Sequence, residues 1–426
     1  MASRIIYISH TSPTLKDMTD YLIIGGGIIG LSIAIELKHQ HPDTSITIIE
    51  KERDLAMHSS GRNSGVLHAG FYYTADSLKA RFTRDGNNAM REFCRKHHIP
   101  INQSGKLVIA TNDDEDATLE TLMKRGVANG VELEWMTRNE VLQKYHGAYT
   151  YKRALFSPTT ATVNPLHVTK AFGKVAEEMG IKILTNCGYK HAIDKQSIET
   201  VCGIMRYKHL INAAGLYADK IAHDFDCGHK YTILPFKGIY LKDTYNDSAL
   251  ATNIYPVPNL ANPFLGVHFT LAVDGTAKIG PTAIPAFWRE NYKGLDNFNM
   301  QEMIEILGWE ARLFVGDDFG FRSLAIEEIQ KYSRKYLKKL ASKLTNNMSL
   351  DRYEVWSTPG IRAQLLNRHT KELVQDFVVE HKNNTTHILN AVSPAFTAAI
   401  PFAKWIVDQL LIATQKQKKT HPTKPF

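Results

Sequence analysis

Cysteine is scarce in this chain, with only Cys94, Cys187, Cys202 and Cys227 among 426 residues. None belongs to a CxxC pair, which excludes the usual structural-zinc spacings and argues against a disulfide framework. No metal is expected, and a reducing compartment, the cytoplasm, fits. No segment has the unbroken apolar length of a membrane span. Residues 1–18 lack the apolar stretch and small-residue cleavage site of a secretory signal and read as an N-terminal extension. Internal repeats are missing, and so are blocks of one charge. The net charge of +8 is spread along the chain, which excludes nucleic acid as a partner. The one basic cluster, Lys331, Arg334, Lys335, Lys338, Lys339 and Lys343, has the spacing of a solvated helix face. The positive excess leaves three readings: an ordinary basic surface, an anionic substrate, or peripheral contact with the inner face of an anionic membrane. Trp405, Ile406, Leu410 and Leu411 would make the last contact, with inward packing the favoured alternative.

Glycine, in contrast, is concentrated where it carries information. Gly25-Gly26-Gly27-Ile28-Ile29-Gly30 follows the apolar run Tyr21–Ile24 and opens into Leu31–Leu37. This is a strand, a turn and a helix start. Gly25 permits the tight turn, Gly27 lets a pyrophosphate approach, and Gly30 lets helix pack on strand. The helix N-terminus then offers N–H groups to phosphate. A second apolar run, Ser45–Ile49, ends in Glu50, 20 residues past Gly30, where an acid for ribose hydroxyls is expected. Together these make a dinucleotide-binding unit over about residues 19–50.

Further along, helices are expected at 79–97, 114–129, 164–179 and 395–412, and helical patterning over 298–347. The strand His209–Ala213 runs into small residues at Ala214 and Gly215, where a cofactor can come close. Phe264–Gly280 reads as a hairpin turning at Asp274-Gly275. The fold class is α/β: a Rossmann-like dinucleotide domain built from discontinuous segments (19–90, 151–235 and 351–415), plus an α+β substrate domain with a mainly antiparallel sheet (91–150 and 236–350). Residues 416–426, rich in Lys, Thr and Pro, read as a disordered tail.

Several stretches match a family. They are Gly25–Gly30, Glu50–Glu52, Ser60–Tyr73, Asn212–Asp219, Leu234–Gly238, Asn253–Pro258, 263–270, Pro359–Gln364 and Asn390–Ala395. The chain resembles the FAD-dependent oxidoreductases of the D-amino-acid-oxidase and glycerol-3-phosphate-dehydrogenase type. Within them it is most similar to the L-2-hydroxyglutarate dehydrogenases, also described as oxidases. The resemblance spans roughly 19–412 and departs from the pattern in the N-terminal extension and near 186–208. It implies FAD as cofactor and hydride transfer from C2 of L-2-hydroxyglutarate to flavin N5, giving 2-oxoglutarate. Oxygen or a quinone would reoxidise the flavin. A related FAD enzyme for another 2-hydroxy acid, an amino acid or glycerol 3-phosphate is the first alternative. An NAD-dependent dehydrogenase is the second, and a non-catalytic flavin-binding protein the third.

The resemblance places Gly25, Gly27, Ile28, Ile29, Gly30, Glu50, Lys51, Ser60, Arg62, Asn63, Ser64, Gly65, His68, Ala214, Gly215, Gly360, Ser393, Pro394 and Ala395 at the cofactor. A helix entered through Ser393-Pro394 would aim its dipole at the negative edge of reduced flavin. On the substrate side, Arg362 is the expected carboxylate clamp, because its planar fork binds a carboxylate at two points. Lys237 is the expected partner of the distal carboxylate. His268 shares a strand face with Gly266 and Thr270, opposite Leu265, Val267 and Phe269, and is the leading base. His68 is its rival. Tyr255 is an expected hydrogen-bond donor, alongside Tyr72 and Tyr73.

Overall fold

The computed structural model describes residues 18–245, 250–259, 266–346 and 348–420, with side chains through 412. The expected extension up to residue 17, and Phe264 and Leu265 of the expected hairpin, lie outside the described residues. The first apolar runs form the middle of an eight-stranded sheet. Its parallel strands lie in the order Thr385–Asn390, Gly203–Asn212, Met18–Ile24, Ile46–Ile49, Lys182–Leu184. Leu22, Ile23, Ile48 and Ile211 are fully buried, as a parallel sheet covered on both faces requires.

The first helix, Ile28–Gln40, packs against the last, Ala395–Thr420, which in turn packs against Leu78–Lys96. Contrary to expectation, one segment does have the length and apolarity of a membrane span, Ala395–Ile412. It is a core helix here. Ala398, Phe402, Ile406 and Leu410 are buried in the same cluster as Ile33 and Leu37, and Trp405 and Leu411 pack at its edge. The residues named for membrane contact therefore turn inward. The helix also continues to Thr420, past Ile412 and into the expected disordered tail; Gln and Lys are good helix formers and extend it.

The second eight-stranded sheet runs in the order Tyr353–Trp356, Leu241–Asp243, Ala277–Gly280, His268–Leu271, Asn253–Pro256, Lys106–Ile109, Arg153–Ser157, Glu134–Thr137. Every pairing is antiparallel except Asn253–Pro256 on Lys106–Ile109. Arg153–Ser157 and Tyr353–Trp356 find their partners in this sheet. The chain thus crosses between sheets after 157 and 356 rather than at the expected 151 and 351. A three-stranded sheet joins Tyr231–Gly238 to Gly360–Asn367 and Ile284–Pro285.

Near 186–208, where the sequence departs from the family pattern, the chain folds as antiparallel strands Tyr189–Asp194, Ser197–Thr200 and Gly203–Asn212. This meander brings Cys187 and Cys202 side by side, Cα–Cα 5.4 Å, a proximity that their spacing did not suggest. Cys94 and Cys227 are free and buried. The basic cluster is also less uniform than its spacing suggested. Lys331 is buried, paired with Glu328 and, at 3.3 Å, Glu327, because it sits where one helix ends at Gln330 and the next begins at Arg334.

Two predictions follow from this packing. At Gly86, in the middle of Leu78–Lys96, a Cβ would lie 2.3 Å from Thr397 O and 2.8 Å from Ala398 Cα. Gly to Ala in an open helix is favourable by about 1 kcal/mol. Here Gly86→Ala is expected to destabilise by about 1–3 kcal/mol, as overpacking does. Urea unfolding measures the sign, and a stabilised variant contradicts the crossing. The second concerns His387, fully buried in the parallel sheet, with Nε2 at 2.9 Å from Thr385 Oγ1. Burial, helped by the His381 charge, pushes it down from 6.5 to about 4. Between those values the unfolded chain holds a proton that the folded chain does not. Stability therefore falls as pH drops through that window, by up to about 1.4 kcal/mol per unit from this group. His387→Gln should make the slope shallower by up to one proton; an unchanged slope refutes it.

Candidate active site

One cavity joins the glycine loop to the second sheet. The space between its walls, open solvent included, is about 1530 Å³. Gly27, Ile28, Ile29, Ser60, Arg62, Asn63, Ser64, His68, Gly215, Tyr255, His268, Gly360, Arg362, Ser393, Pro394 and Ala395 all line it. The sequence-derived positions Gly25, Gly30, Glu50, Lys51, Gly65, Ala214 and Lys237 are not among its lining residues.

The glycines outside the lining build the loop. Gly25 has φ +108°, and a Cβ there would lie 2.5 Å from Ala213 O. A Cβ on Gly30 would lie 2.1 Å from Gly25 O. Glu50 stands beside the loop, its Oε2 accepting from Gly26 N–H at 2.9 Å and its Oε1 from Glu52 N–H at 3.0 Å. The first helix has Gly27 as its cap and so no side-chain cap of its own; Ser60 Oγ accepts from Ile28 N–H at 2.9 Å instead. Such a terminus, with a hydroxyl already at its first turn, suits a phosphate oxygen. Lys51 is turned away, paired with Glu52 and, at 2.6 Å, with Glu290. Ala214 N–H is held by Asn212 Oδ1 at 3.2 Å.

The loop after Ser60 forms the next wall. Asn63 Oδ1 accepts from Gly65 N–H at 2.9 Å, and its Nδ2 donates to Ser60 O at 3.0 Å. Arg62 borders the cavity, but its Nε donates to Met57 O at 2.5 Å and its guanidinium lies 4.3 Å from the Tyr292 ring centroid. Its charge holds the loop in place. Thr397, in the first turn of the last helix, accepts from His68 N–H at 3.2 Å and donates to Val66 O at 3.3 Å. That pair of bonds fixes the helix N-terminus against the strand Val66–Leu67 and His68, which follows it.

The reacting side is built from neutral imidazoles and cations. His268 Nδ1 lies 2.8 Å from Gly266 O. A carbonyl can only accept, so Nδ1 carries the proton and Nε2 keeps its lone pair. The Tyr255 ring stacks on the imidazole at 3.7 Å, interplanar angle 16°. Burial, opposed by the Gly266 bond and reinforced by Lys106, pushes His268 down to about 3. Burial also pushes His68 to about 3, with the charges of Lys106, His268 and Arg362 adding to it. The His68 ring meets no hydrogen-bond partner among the described residues and is only partly covered. Arg362 lines the cavity from Gly360–Asn367, opposite Phe236 in the neighbouring strand.

Lys237 does not reach this wall. Phe236 and Gly238 line the cavity, so strand alternation turns the side chain between them to the other face. There its Nζ donates to Asn291 Oδ1 at 3.1 Å. Three residues absent from the sequence-derived set belong here: Tyr240, Thr397 and Lys106. Tyr240 and Thr397 line the cavity. Lys106 lies beside it, 1% exposed, with burial pushing its ammonium down to about 7. The available signal was a lone lysine opening an otherwise apolar strand, Lys106–Ile109, all four residues of which are buried.

Residues 20–409 match the family described as FAD dependent oxidoreductase. The chain is similar to L-2-hydroxyglutarate dehydrogenase of Escherichia coli (strain K12), 36% identical over 405 residues covering 93% of this chain and 95% of the relative. It is also similar to the mitochondrial L-2-hydroxyglutarate dehydrogenase of Homo sapiens, 34% identical over 418 residues, with 92% and 88% covered. L-alpha-glycerophosphate oxidase from Mycoplasma pneumoniae, solved with FAD bound, shares the fold at TM-score 0.71 and 21% identity, covering 92% of this chain and 95% of that one. FAD fits the residues present: the Glu50 carboxylate beside the glycine loop, the helix N-terminus at Ile28 with the Ser60 hydroxyl on it, and the last helix N-terminus across the same cavity. On this combination of loop, cavity and full-length similarity, the chain belongs to the FAD-dependent oxidoreductase family.

Proposed function

We propose that this protein oxidises L-2-hydroxyglutarate to 2-oxoglutarate. The observation that carries the reading is the convergence of Arg362 and two neutral imidazoles on the cavity that opens from the glycine loop. The substrate named for the relatives fits this wall, since an anionic 2-hydroxy acid needs a cation for its carboxylate and an acceptor for its hydroxyl proton. FAD, when bound, supplies the acceptor for the C2 hydride. Arg362 holds the C1 carboxylate and orients the carbon. A neutral histidine takes the hydroxyl proton as the carbonyl forms.

We assign that proton to His68 rather than to His268, the residue favoured by strand pattern. The His68 ring is open to the cavity with both nitrogens uncommitted, whereas His268 has Nδ1 tied to Gly266 O and one face under Tyr255. His268 Nε2 remains a fixed acceptor next to it. The first turn of the last helix, Ser393 to Thr397, presents its positive dipole end to the cavity and favours negative charge there. Either oxygen or a quinone then removes the electrons.

Anaerobic addition of L-2-hydroxyglutarate should bleach the flavin band at about 450 nm, and the D-isomer should not. Readdition of oxygen or of a quinone analogue identifies the acceptor by the faster recovery. A band untouched by both isomers would overturn the proposal. His68→Ala should lower kcat by ~10²–10⁴-fold with flavin retained. A larger loss in His268→Ala returns the base role to that residue. Arg362→Ala should raise KM strongly, and Arg362→Lys should restore little of it, because a point charge cannot replace the fork.

A further inference from the structure

Lys106 is the least explained charge in the molecule. Its strand buries Leu107 and Ile109 in one core cluster and Val108 in another, with Phe71. Lys106 shares the Val108 face and so points beneath the segment that follows His68. There its Nζ lies 4.3 Å from the Tyr72 ring centroid, 4.5 Å from Phe71 and 5.0 Å from Tyr255. Aromatic faces attract a cation but do not accept its N–H donors as an oxygen does. Among the described residues the ammonium meets no carboxylate and no hydrogen-bond acceptor. The Tyr72 hydroxyl on the adjoining ring is likewise buried without a partner. A buried hydroxyl without a partner, next to a buried cation that only aromatic faces surround, is costly unless a ligand completes it.

Their position says which ligand. Lys106 and Tyr72 stand behind the cavity lining rather than in it, and Tyr255, one of the three rings around Nζ, is the lining residue that joins them to the cavity and stacks on His268. The charges of Lys106 and Arg362 both bear on His68. A reacting carbon beside His68 is therefore within the influence of both cations. Arg362 serves the carboxylate next to that carbon, which leaves Lys106 for a second anionic group further along the substrate.

We propose that Lys106 and the Tyr72 hydroxyl form a second anion subsite that takes the distal carboxylate of a five-carbon 2-hydroxy dicarboxylate. This makes Lys106 the specificity-determining residue of the site, in place of Lys237. The inference rests on the proposed reaction for its choice of substrate, but its test does not require turnover.

The probes are glutarate and valerate, redox-inert acids of equal chain length that differ in one carboxylate. Binding to the flavin-loaded protein is read from the perturbed flavin spectrum. Lys106→Met should weaken glutarate binding by ~30-fold or more, the range seen when one partner of a buried charge pair is removed. Valerate binding should stay within a few-fold. Tyr72→Phe, which keeps the ring and removes one hydroxyl, should show a smaller loss confined to glutarate, and it covers the case in which Lys106→Met does not retain flavin. The kcat/KM ratio of L-2-hydroxyglutarate over L-2-hydroxyvalerate should fall in parallel. Equal weakening of both probes, or no weakening of glutarate, overturns the subsite. A wild-type flavin that no 2-hydroxy acid reduces, with the glutarate preference still dependent on Lys106, overturns the proposed reaction and leaves the subsite standing.

Discussion

An ammonium buried among aromatic faces, with no carboxylate beside it, sets the electrostatics of this site. Lys106 is held at the start of a fully buried strand by pairing with Ser157 on one side and Asn253 on the other. Burial keeps both histidines of the cavity neutral, and the Lys106 ammonium adds to that where it is charged. A neutral imidazole is the state a proton acceptor must start from. The feature that recruits the substrate's charge thus also prepares its base.

The fold delivers that arrangement by bringing distant segments to one cavity. The parallel sheet contributes the glycine loop and the helix N-terminus at Ile28. The second sheet contributes Lys106, Tyr255 and His268 from three adjacent strands. Thr397 ties the last helix to Val66 and His68. Gly86 lets that helix lie close enough to do so. The buried pair of Asp219 with Arg289, at 2.7 and 2.9 Å, anchors the segment after Gly215 to the second half of the chain. Asp219 belongs to a stretch that carries the family resemblance, yet its role is structural.

Much of this was legible in the sequence because it depends on local chemistry. Gly25 and Gly30 had to be glycine for steric reasons that a sequence motif records. The strand face of His268 followed from alternation, and Arg362 from its place after the Pro359-Gly360 turn. The glycine loop alone did not separate FAD from NAD; the return of Ser393–Ala395 to the cavity did. What escaped depends on tertiary contact. Lys237 looked right by position, but its side chain alternates to the wrong face. Lys106 drew no role of its own, because nothing local shows that both neighbouring strands would cover it. The membrane-like stretch over Ala395–Ile412 and the Cys187–Cys202 pair were missed for the same reason: burial and cross-strand proximity are properties of the assembled sheets.

The buried Lys106 amine takes up its charge when an anion binds beside it. Burial holds Lys106 at about 7, so near pH 8 it is largely uncharged in the unliganded protein. A bound carboxylate favours the charged form and must draw a proton from solvent. The direct measurement is calorimetric titration of glutarate into flavin-loaded protein at about pH 8, in buffers of different ionisation enthalpy. The account predicts uptake of close to one proton per site. Glutarate binding with no proton uptake would contradict it.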